Sequence, residues 1–503
     1  MINGIKLPVE HSESDLINAI IKKSGKRDFD YRIMKKSVDA RFGKVQFVYN
    51  VDIAPRGAEF EIDKPLFIGK KTFEKRPIVV GGGPCGLFAA YVLAISGAAP
   101  ILIERGRDID RRKQDVEKFQ TFGILDAESN VQFGEGGAGT FSDGKLTTRI
   151  NDPLCREVLR IFCECGADKE IMYLAKPHLG TDNLLKIIKN LREKIINCGG
   201  EVHFGEKLTG IAVEGGTVVR AVTDVREYDT DRIILALGHS ARDTFEMVRN
   251  IGADMEPKAF SVGVRIEHLQ SEVDKCQYGD FAGNPHLGAA DYRLAYHNDK
   301  GRGVYTFCMC PGGYVMASSS EPETVVTNGM SYSTRNGKNA NSAFLVGVSP
   351  DDFGKDPFDG IRLQRKIESL AYKAGGGGFV APCQRLGDFM RAVPSDDIGS
   401  VEPTYKPGVK MTDISICLPD YTVGAMRDAV EYFAHKMKFF GAEDALLTGV
   451  ESRSSSPVRL IRGADFQSNI KGLYPSGEGA GYAGGIMSAA ADGMRVALAI
   501  IGE

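Results

Sequence analysis

The turn at residues 81–86 constrains the fold of this 503-residue chain more than any other feature. It follows the apolar run Ile78-Val79-Val80, carries the pattern G-x-G-x-x-G, and opens an apolar stretch at residues 87–96. A second apolar run ends at Glu104, 23 residues after Gly81. Strand, turn, helix and strand in this order predict a βαβ unit of a doubly wound α/β domain.

Each residue of this unit has a physical role. Gly81 permits the tight turn, Gly83 lets backbone N–H groups approach a pyrophosphate, and Gly86 lets the helix pack closely on the strand. The helix N-terminus offers unpaired N–H groups and a partial positive charge to phosphates. Glu104 can accept hydrogen bonds from ribose hydroxyls and would repel a 2′-phosphate. The pattern therefore predicts a dinucleotide site.

Composition excludes several other classes of protein. Hydrophobic residues make up 43% and charged residues 26%, which is typical of a globular protein. The length predicts roughly three domains. Ten cysteines are too sparse for a disulfide framework, so reduced thiols are expected. We find no signal peptide and no apolar run near the ~20 residues that a membrane span needs, and we expect the protein in the cytoplasm and away from membranes.

The sequence divides into three regions. Residues 1–75 predict a small α+β module, with strands at 5–9 and 45–53 around one helix. Residues 76–257 and 448–503 predict a Rossmann-like domain, in which 201–211 and 217–225 read as paired strands. Residues 258–447 do not continue the alternation of strands and helices. They predict an inserted cap domain that is mostly β or α+β. The fold class is therefore α/β with a cap and an N-terminal module.

Two further glycine-rich segments point to the same ligand. Residues 134–144 hold five glycines in eleven positions, which predicts a loop whose backbone lies against a flat ligand. Residues 477–486 predict a turn before a helix of small residues, whose N-terminus would point at the ligand.

Five pieces in chain order resemble the layout of the two-domain flavoproteins of the glutathione-reductase-like superfamily. They are Gly81–Gly86, Glu104-Arg105, the loop Gly134–Gly144, Ala236-Leu237-Gly238, and Gly477-Glu478 with the helix that follows. Within this superfamily, FGEGGAGTFSDGKL at 133–146, GEGAGYAGGI at 477–486, FCMCPGG at 307–313 and SSSPVR at 454–459 are similar to the uncharacterised bacterial FAD-dependent dehydrogenases, also labelled NAD(FAD)-utilising. This resemblance covers nearly the whole chain and implies FAD as the cofactor. It implies no particular substrate.

Carried over residue by residue, the resemblance implies which positions hold FAD. The first turn would bind the pyrophosphate, Glu104 the ribose and Leu208 the adenine, and Gly238 would close over the ADP half. Glu478 stands where relatives have Asp and would reach the ribityl chain or a phosphate. The implied cofactor residues are Gly81, Gly83, Pro84, Cys85, Gly86, Glu104, Arg105, Gly136, Gly137, Thr140, Leu208, Gly238, Gly477, Glu478, Gly484, Gly485 and Ile486.

Five residues beyond the cofactor site are candidates for chemistry. Arg453 and Arg459 could clamp an anionic substrate, or they could pair with acidic residues of the cap. Cys308 and Cys310 could form a redox pair, or they could be alternating strand residues of which one is buried. Lys145 follows the glycine loop and could lie near the flavin.

No metal site is expected, because the spacing of Cys155, Cys163, Cys165 and His178 matches no standard zinc pattern. The FAD half also lacks a Cys-x-x-Cys pair, and the chain lacks a second G-x-G-x-x-G, so a dithiol reductase of the glutathione-reductase kind and a dedicated nicotinamide domain are not expected.

Three functions remain open at this point. The leading one is an oxidoreductase that passes a hydride between FAD and a small, possibly anionic substrate. The second is an FAD protein that acts on RNA through residues 1–75, where 16 basic and 11 acidic residues between Met1 and Arg76 give a net charge of +5. The third is a non-catalytic redox sensor that binds FAD.

Overall fold

The computed structural model describes residues 1–60, 69–148 and 152–502. They form the predicted mixed α/β architecture. Residues 61–68, which belong to the predicted 1–75 module, lie outside the described residues.

The N-terminal module is a three-stranded antiparallel sheet with one helix packed on it. Ser12 and Asp15 cap the helix reciprocally, and Gly25 ends it in a left-handed conformation (φ +70°). The strand order is β1-β3-β2, with the elements β1 (Ile2–Pro8), α1 (Glu13–Ser24), β2 (Asp30–Asp39) and β3 (Gln46–Ala54).

The first part of the Rossmann-like domain follows. It comprises β4 (Ile78–Val80), α2 (Pro84–Ser96), β5 (Ile101–Glu104), α3 (Ile109–Phe122), α4 (Pro153–Glu164), α5 (Gly180–Asn197), β6 (Glu201–Phe204), β7 (Leu208–Glu214), β8 (Thr217–Thr223), β9 (Glu227–Asp229), β10 (Ile233–Leu235) and α6 (Arg242–Asn250). Residues 201–211, predicted as one strand, form two, because Gly205 (φ +66°) breaks the segment. β6 pairs with β5, whereas β7 pairs with β8 in a small antiparallel sheet.

The cap domain is built on a seven-stranded sheet of order β13-β14-β17-β12-β20-β18-β19. Its strands are antiparallel except for the β18–β19 pair. The region comprises β11 (Met255–Pro257), β12 (Phe260–Leu269), α7 (Gln270–Tyr278), β13 (Ala295–His297), β14 (Gly303–Cys310), β15 (Tyr314–Ala317), β16 (Thr327–Met330), β17 (Asn339–Val348), α8 (Pro350–Phe353), α9 (Asp359–Gly375), β18 (Ala381–Arg385), α10 (Leu386–Arg391), β19 (Val409–Met411), α11 (Asp420–Lys436) and β20 (Leu446–Glu451).

The chain then returns to the first domain through β21 (Val458–Leu460), β22 (Leu473–Pro475) and α12 (Ile486–Gly502). β20 belongs to the cap sheet, so the return comes after Glu451 rather than at residue 448. β22 completes a parallel sheet of order β22-β10-β4-β5-β6. A side chain at Gly493 of α12 would overlap the Cys85 carbonyl of α2, so the two helices pack closely against each other. The first residues of these helices, Pro84 and Ile486, both lie within 4 Å of a Cβ built on Gly139, so the two N-termini lie near each other.

In the described part of the chain, no helix has both the length and the apolar character that a membrane crossing requires.

Candidate functional site

The turn between β4 and α2 has the geometry of a phosphate-binding turn. Gly81 has φ +108°, and a Cβ there would overlap the Ala236 carbonyl. A Cβ on Gly86 would overlap the carbonyl of Gly81. Gly83 caps α2 with φ −77°, and among the described residues a Cβ there would meet only the Gly137 Cα, at 3.8 Å. The start of α2 is thus open to a ligand.

Glu104 joins three glycine segments at the end of β5. Its buried carboxylate accepts hydrogen bonds from the backbone N–H groups of Gly82 (2.6 Å), Gly106 (2.8 Å) and Gly134 (2.9 Å). An ionised carboxylate offers about four acceptor positions. Glu104 therefore fixes the turn and still has room for one ribose hydroxyl.

The glycine loop lies directly over this turn. The Gly136 N–H donates to the Gly82 carbonyl (2.7 Å), and a Cβ on Gly137 would come within 2.9 Å of the Gly83 Cα. Among the described residues, the buried Thr140 hydroxyl has no hydrogen-bond partner. The loop and the turn therefore form the two sides of one narrow cradle.

Arg112 of α3 holds the glycine loop in place, a role that sequence reasoning missed. Its fully buried guanidinium donates to five backbone carbonyls of residues 130–137, and burial lowers its pKa to about 10. An arginine in an amphipathic helix carries no sequence signal for this role, because the carbonyls that it binds lie 18 to 25 residues away.

The predicted contacts to adenosine lie around the same strand ends. Arg105 forms ion pairs with Glu128 and Asp243 and stacks on the Phe133 ring. Leu208 begins β7 and is buried. Gly238 follows β10 with φ +69° and, within the described residues, has no atom near the position of a Cβ.

The loop before α12 provides the other end of the site. Among the described residues, no atom lies within 4 Å of a Cβ built on Gly484 or Gly485, just before Ile486 begins α12. Gly477 faces Cys85, whose thiol donates to Ser476. Asp492, which sequence reasoning missed, accepts from the Gly477 N–H (2.8 Å) and fixes this turn.

Glu478 is the charged residue of the loop at 477–486. Its carboxylate accepts from the Gly485 N–H at 3.4 Å, and burial raises its pKa to about 7. His239 lies 3.9 Å away, but burial and the charges of Arg453 and Arg242 lower the pKa of His239 to about 3, so it is neutral at pH 7.

The residues present therefore fit FAD. Two helix N-termini, each preceded by a glycine (Gly83 and Gly485), lie at one edge of a parallel sheet. A carboxylate stands at each end of the cradle, the buried Glu104 on one side and the partly exposed Glu478 on the other.

The cap meets the loop of α12 at a group of charged and nucleophilic side chains. We call this region the seam and define it by Glu478 and Lys145 of the Rossmann-like domain and Lys258 and Cys308 of the cap. Burial raises the pKa of Glu478, and the positive charge of Lys258 opposes this rise. The positive charge of Lys145 is among the influences that lower the pKa of Cys308.

Lys145 and Lys258 have different surroundings. Lys145 lies 3.6 Å from Asp143, whose carboxylate also receives two hydrogen bonds from Arg335. Lys258 donates to the Ser455 hydroxyl (2.8 Å). Burial and the charge of Arg459 lower the pKa of Lys258. Sequence reasoning selected Lys145 and missed Lys258.

The structure separates the two candidate arginines. Arg453 is buried and bound to Glu368 of α9 through Nε (3.0 Å) and Nη2 (2.9 Å), and it also donates to Ser240 and Ser320. This is the arrangement expected of an ion pair with the cap. Arg459 is 40% exposed and lies 3.4 Å from Glu256. Within the described residues, its buried Nε has no hydrogen-bond partner.

The four residues whose spacing matched no zinc pattern lie in two places. Cys155, Cys163 and Cys165 are on or beside α4, whereas His178 forms a β-bridge with Lys145 of the seam. Among the described residues, no group of three or more His, Cys, Asp or Glu side chains is placed to hold a metal ion.

Comparison with solved structures gives several distant matches. An L-proline dehydrogenase from P. horikoshii is 11% identical, covers 86% of this chain and 94% of its own, and has a TM-score of 0.35. A glycine oxidase from Bacillus cereus ATCC 14579 is 10% identical, with coverage of 85% and 95% and a TM-score of 0.35. CtdE in complex with FAD is 15% identical, with coverage of 85% and 84% and a TM-score of 0.33.

Comparison at the level of sequence is far closer. Residues 259–454 match the family described as "FAD-dependent protein, C-terminal domain-like", and residues 1–54 match a domain of unknown function. An uncharacterized protein of Clostridium beijerinckii (strain ATCC 51743 / NCIMB 8052) is 47% identical over 522 residues, which cover 99% of this chain and 98% of the relative. The chain belongs to the same family as this C. beijerinckii protein, and its cofactor is FAD.

Proposed function

We propose that the chain is an FAD-dependent oxidoreductase whose substrate is a small organic anion bound at the seam. FAD, when bound, supplies the two-electron carrier for hydride transfer. The observation that carries the proposal is a pair of cations near the loop before α12: Arg459 lies over the Tyr482 ring of that loop, and Lys258 is bound to the Ser455 hydroxyl. Ligand sites favour the junctions between domains.

The donors at this junction are available to a ligand. Nε of Arg459 is buried without a hydrogen-bond partner among the described residues, and such a group is stabilised when an acceptor reaches it. Lys258 has one strong acceptor, the Ser455 hydroxyl, for its three N–H donors. A carboxylate or phosphate would satisfy both side chains at once.

Arg453 contributes in a different way. Four hydrogen bonds to Glu368, Ser240 and Ser320 occupy most of its five N–H donors. We propose that it holds the cap against the Rossmann-like domain, and that Arg459 and Lys258 bind the anion.

The test measures binding and reduction separately. The yellow holoprotein is titrated with small carboxylates and phosphates while the flavin spectrum is recorded, and the ligands that shift the spectrum are then tested anaerobically as electron donors. We expect Arg459→Gln and Lys258→Met to weaken the spectral response at least about ten-fold, the loss of one charge-assisted contact. Lys355→Met, at an exposed ion pair with Asp351, is the control. Equal responses in all four proteins would refute the site.

A second candidate function rests on a cavity of about 910 Å³ between the N-terminal module and α4. Five arginines line it, which favours a polyanion such as RNA; they are Arg27, Arg32, Arg56, Arg156 and Arg160. Part of this charge is neutralised, since Arg160 pairs with Glu157 and Glu164 and Arg56 pairs with Asp28. Retention of tRNA by the full chain, lost in the double variant R27E/R56E, would support it.

A further inference from the structure

Two cysteines of the cap lie at an irregularity of β14. The strand pairs regularly with β17 up to Phe307, and pairing resumes only at Cys310, opposite Asn341. Cys308 has φ +42°, a conformation that non-glycine residues rarely adopt outside functional or strained sites. A bulge of this kind re-aims side chains.

The bulge turns the Cys310 thiol back against Cys308. The Cys310 thiol donates to the Cys308 carbonyl oxygen at 3.3 Å. Cys308 is partly exposed, whereas Cys310 is buried. The Cys308 thiol is thus accessible to a reagent, whereas the Cys310 thiol lies behind it in the interior.

Positive charge surrounds the pair. The buried Arg265 donates to the Cys308 carbonyl (2.6 Å) and to the Cys310 Sγ (3.4 Å), and the positive charge of Lys145 favours the Cys308 thiolate. The acidic groups nearby are themselves partnered: Glu451 pairs with Arg265, and Asp143 pairs with Arg335. Glu478 also faces Cys308 across the seam.

This environment distinguishes Cys308 from the buried cysteines elsewhere in the fold. The hydrogen bond from Cys310 lowers the pKa of the Cys308 thiol, and Lys145 and Arg265 add to this effect against the cost of burial. The pKa of the Cys310 thiol is raised, because Cys310 is the donor in this hydrogen bond and its proton is therefore held more tightly. Burial raises the pKa of the remaining buried cysteines, which are Cys85, Cys155, Cys165, Cys383 and Cys417.

We propose that Cys308 and Cys310 form a thiol–disulfide exchange pair that reacts with small organic disulfides, with Cys308 as the attacking thiol and Cys310 as the resolving thiol. This activity is separate from the proposed hydride transfer. It can be tested without knowing the substrate of the hydride transfer.

The exchange balances in two steps. The Cys308 thiolate attacks one sulfur of a disulfide RSSR, which forms the Cys308–S–S–R bond and releases one RS⁻. Cys310 then loses its proton to solvent and attacks the Cys308 sulfur, which forms the Cys308–Cys310 disulfide and releases the second RS⁻. The protein pair is oxidised by two electrons, and RSSR is reduced to two thiols. A disulfide that closes so short a loop is strained and readily reduced again.

The test follows individual thiols in the reduced holoprotein. 2-Hydroxyethyl disulfide is added, the reaction is quenched in acid, free thiols are alkylated with N-ethylmaleimide, and the peptides are identified by mass spectrometry. We expect a Cys308–Cys310 disulfide that dithiothreitol reverses. Recovery of both cysteines as maleimide adducts, after the exposed Cys198 has reacted, would overturn the proposal.

Two variants assign the roles. Cys310→Ser removes the resolving thiol, so the mixed disulfide should accumulate on Cys308. Cys308→Ser should leave Cys310 unmodified. Modification of Cys310 at the wild-type rate in Cys308→Ser would reverse the assignment and refute the proposal as stated.

The pH dependence of the reaction rate tests whether Cys308 ionises at a lower pH than an ordinary thiol. This test does not depend on how exposed each thiol is. The rate at an ordinary thiol rises with pH up to about 8.5. We expect the rate at Cys308 to level off at a lower pH than the rate at Cys198, and Lys145→Gln to move this plateau upward. Parallel pH profiles for Cys308 and Cys198 would contradict the proposal.

Discussion

Arg242, the first residue of α6, donates two hydrogen bonds to the carboxylate of Glu368 in the cap helix α9, with Nη1–Oε2 at 3.1 Å and Nη2–Oε1 at 2.9 Å. Arg453 binds the same carboxylate from the end of the cap sheet. All three side chains are buried. One carboxylate thus compensates two guanidinium groups at the junction of the two domains.

Removing that carboxylate should therefore be costly. Glu368→Gln leaves the buried Arg453 without a paired carboxylate and leaves Arg242 paired with Glu321 alone. We expect the free energy of unfolding to fall by about 3–5 kcal/mol. The control is Glu443→Gln, which breaks an exposed pair with Arg391 and should cost about 0–1 kcal/mol. Urea unfolding measures both. Equal effects would show that Glu368 does not stabilise the junction.

Substitutions at two glycines should separate cofactor binding from folding. A Cβ on Gly83 meets no close protein atom, so Gly83→Ala should fold normally but lose about 1–3 kcal/mol of FAD affinity, because the methyl group occupies the approach of the pyrophosphate. Gly83→Val should purify without flavin. Gly86→Ala should instead lower the melting temperature of the apoprotein, since its Cβ overlaps the Gly81 carbonyl.

The flavin content is measured after heat release, where the wild-type cofactor should run as FAD. Release of FMN would contradict the adenosine site at Glu104. Normal flavin content in Gly83→Val would contradict the placement of the pyrophosphate.

Glu478 should make the stability of the apoprotein depend on pH. Burial raises its pKa from 4.5 to about 7, so between these values the folded state binds a proton that the unfolded state does not. Stability therefore falls as the pH rises through this window. Glu478→Gln removes the penalty, and we expect it to be more stable than the wild type by about 1–3 kcal/mol at pH 8 and equal to it at pH 4. A constant difference at both pH values would contradict this.

Reduction by nicotinamides should be slow and weakly saturable. In the described part of the chain, one parallel sheet carries one dinucleotide turn, and the cap sheet is antiparallel except for β18–β19. Stopped-flow measurement of flavin bleaching by NADH and NADPH tests this. Fast, stoichiometric bleaching with micromolar half-saturation would reveal a nicotinamide site elsewhere.

The local parts of the site could be predicted from the sequence because their geometry is local. The turn at 81–86 needs glycine at defined spacings. A Cβ on Gly86 would overlap the Gly81 carbonyl, which belongs to the same turn, whereas the atom that excludes a side chain at Gly81 is the more distant Ala236 carbonyl. The fold class followed from the same pattern.

The long-range parts could not be predicted in this way. Arg242 and Glu368 are 126 residues apart, and each is an unremarkable charge on a helix until the two domains are packed together. The same holds for Lys145 and Cys308, which come from different domains. The segment 201–211 shows a further limit, because its apolar pattern does not reveal that Gly205 sends its two halves into different sheets.

The short antiparallel pair β11–β21 joins the two points at which the chain leaves and re-enters the Rossmann-like domain, with Met255 opposite Leu460. Because these two ends are paired, the cap forms a loop that is closed at its base. The entropic cost of closing a loop grows only slowly with its length. The host can therefore assemble its parallel sheet around an insert of almost any size. We therefore expect the cap to vary in size and sequence more freely than the FAD cradle.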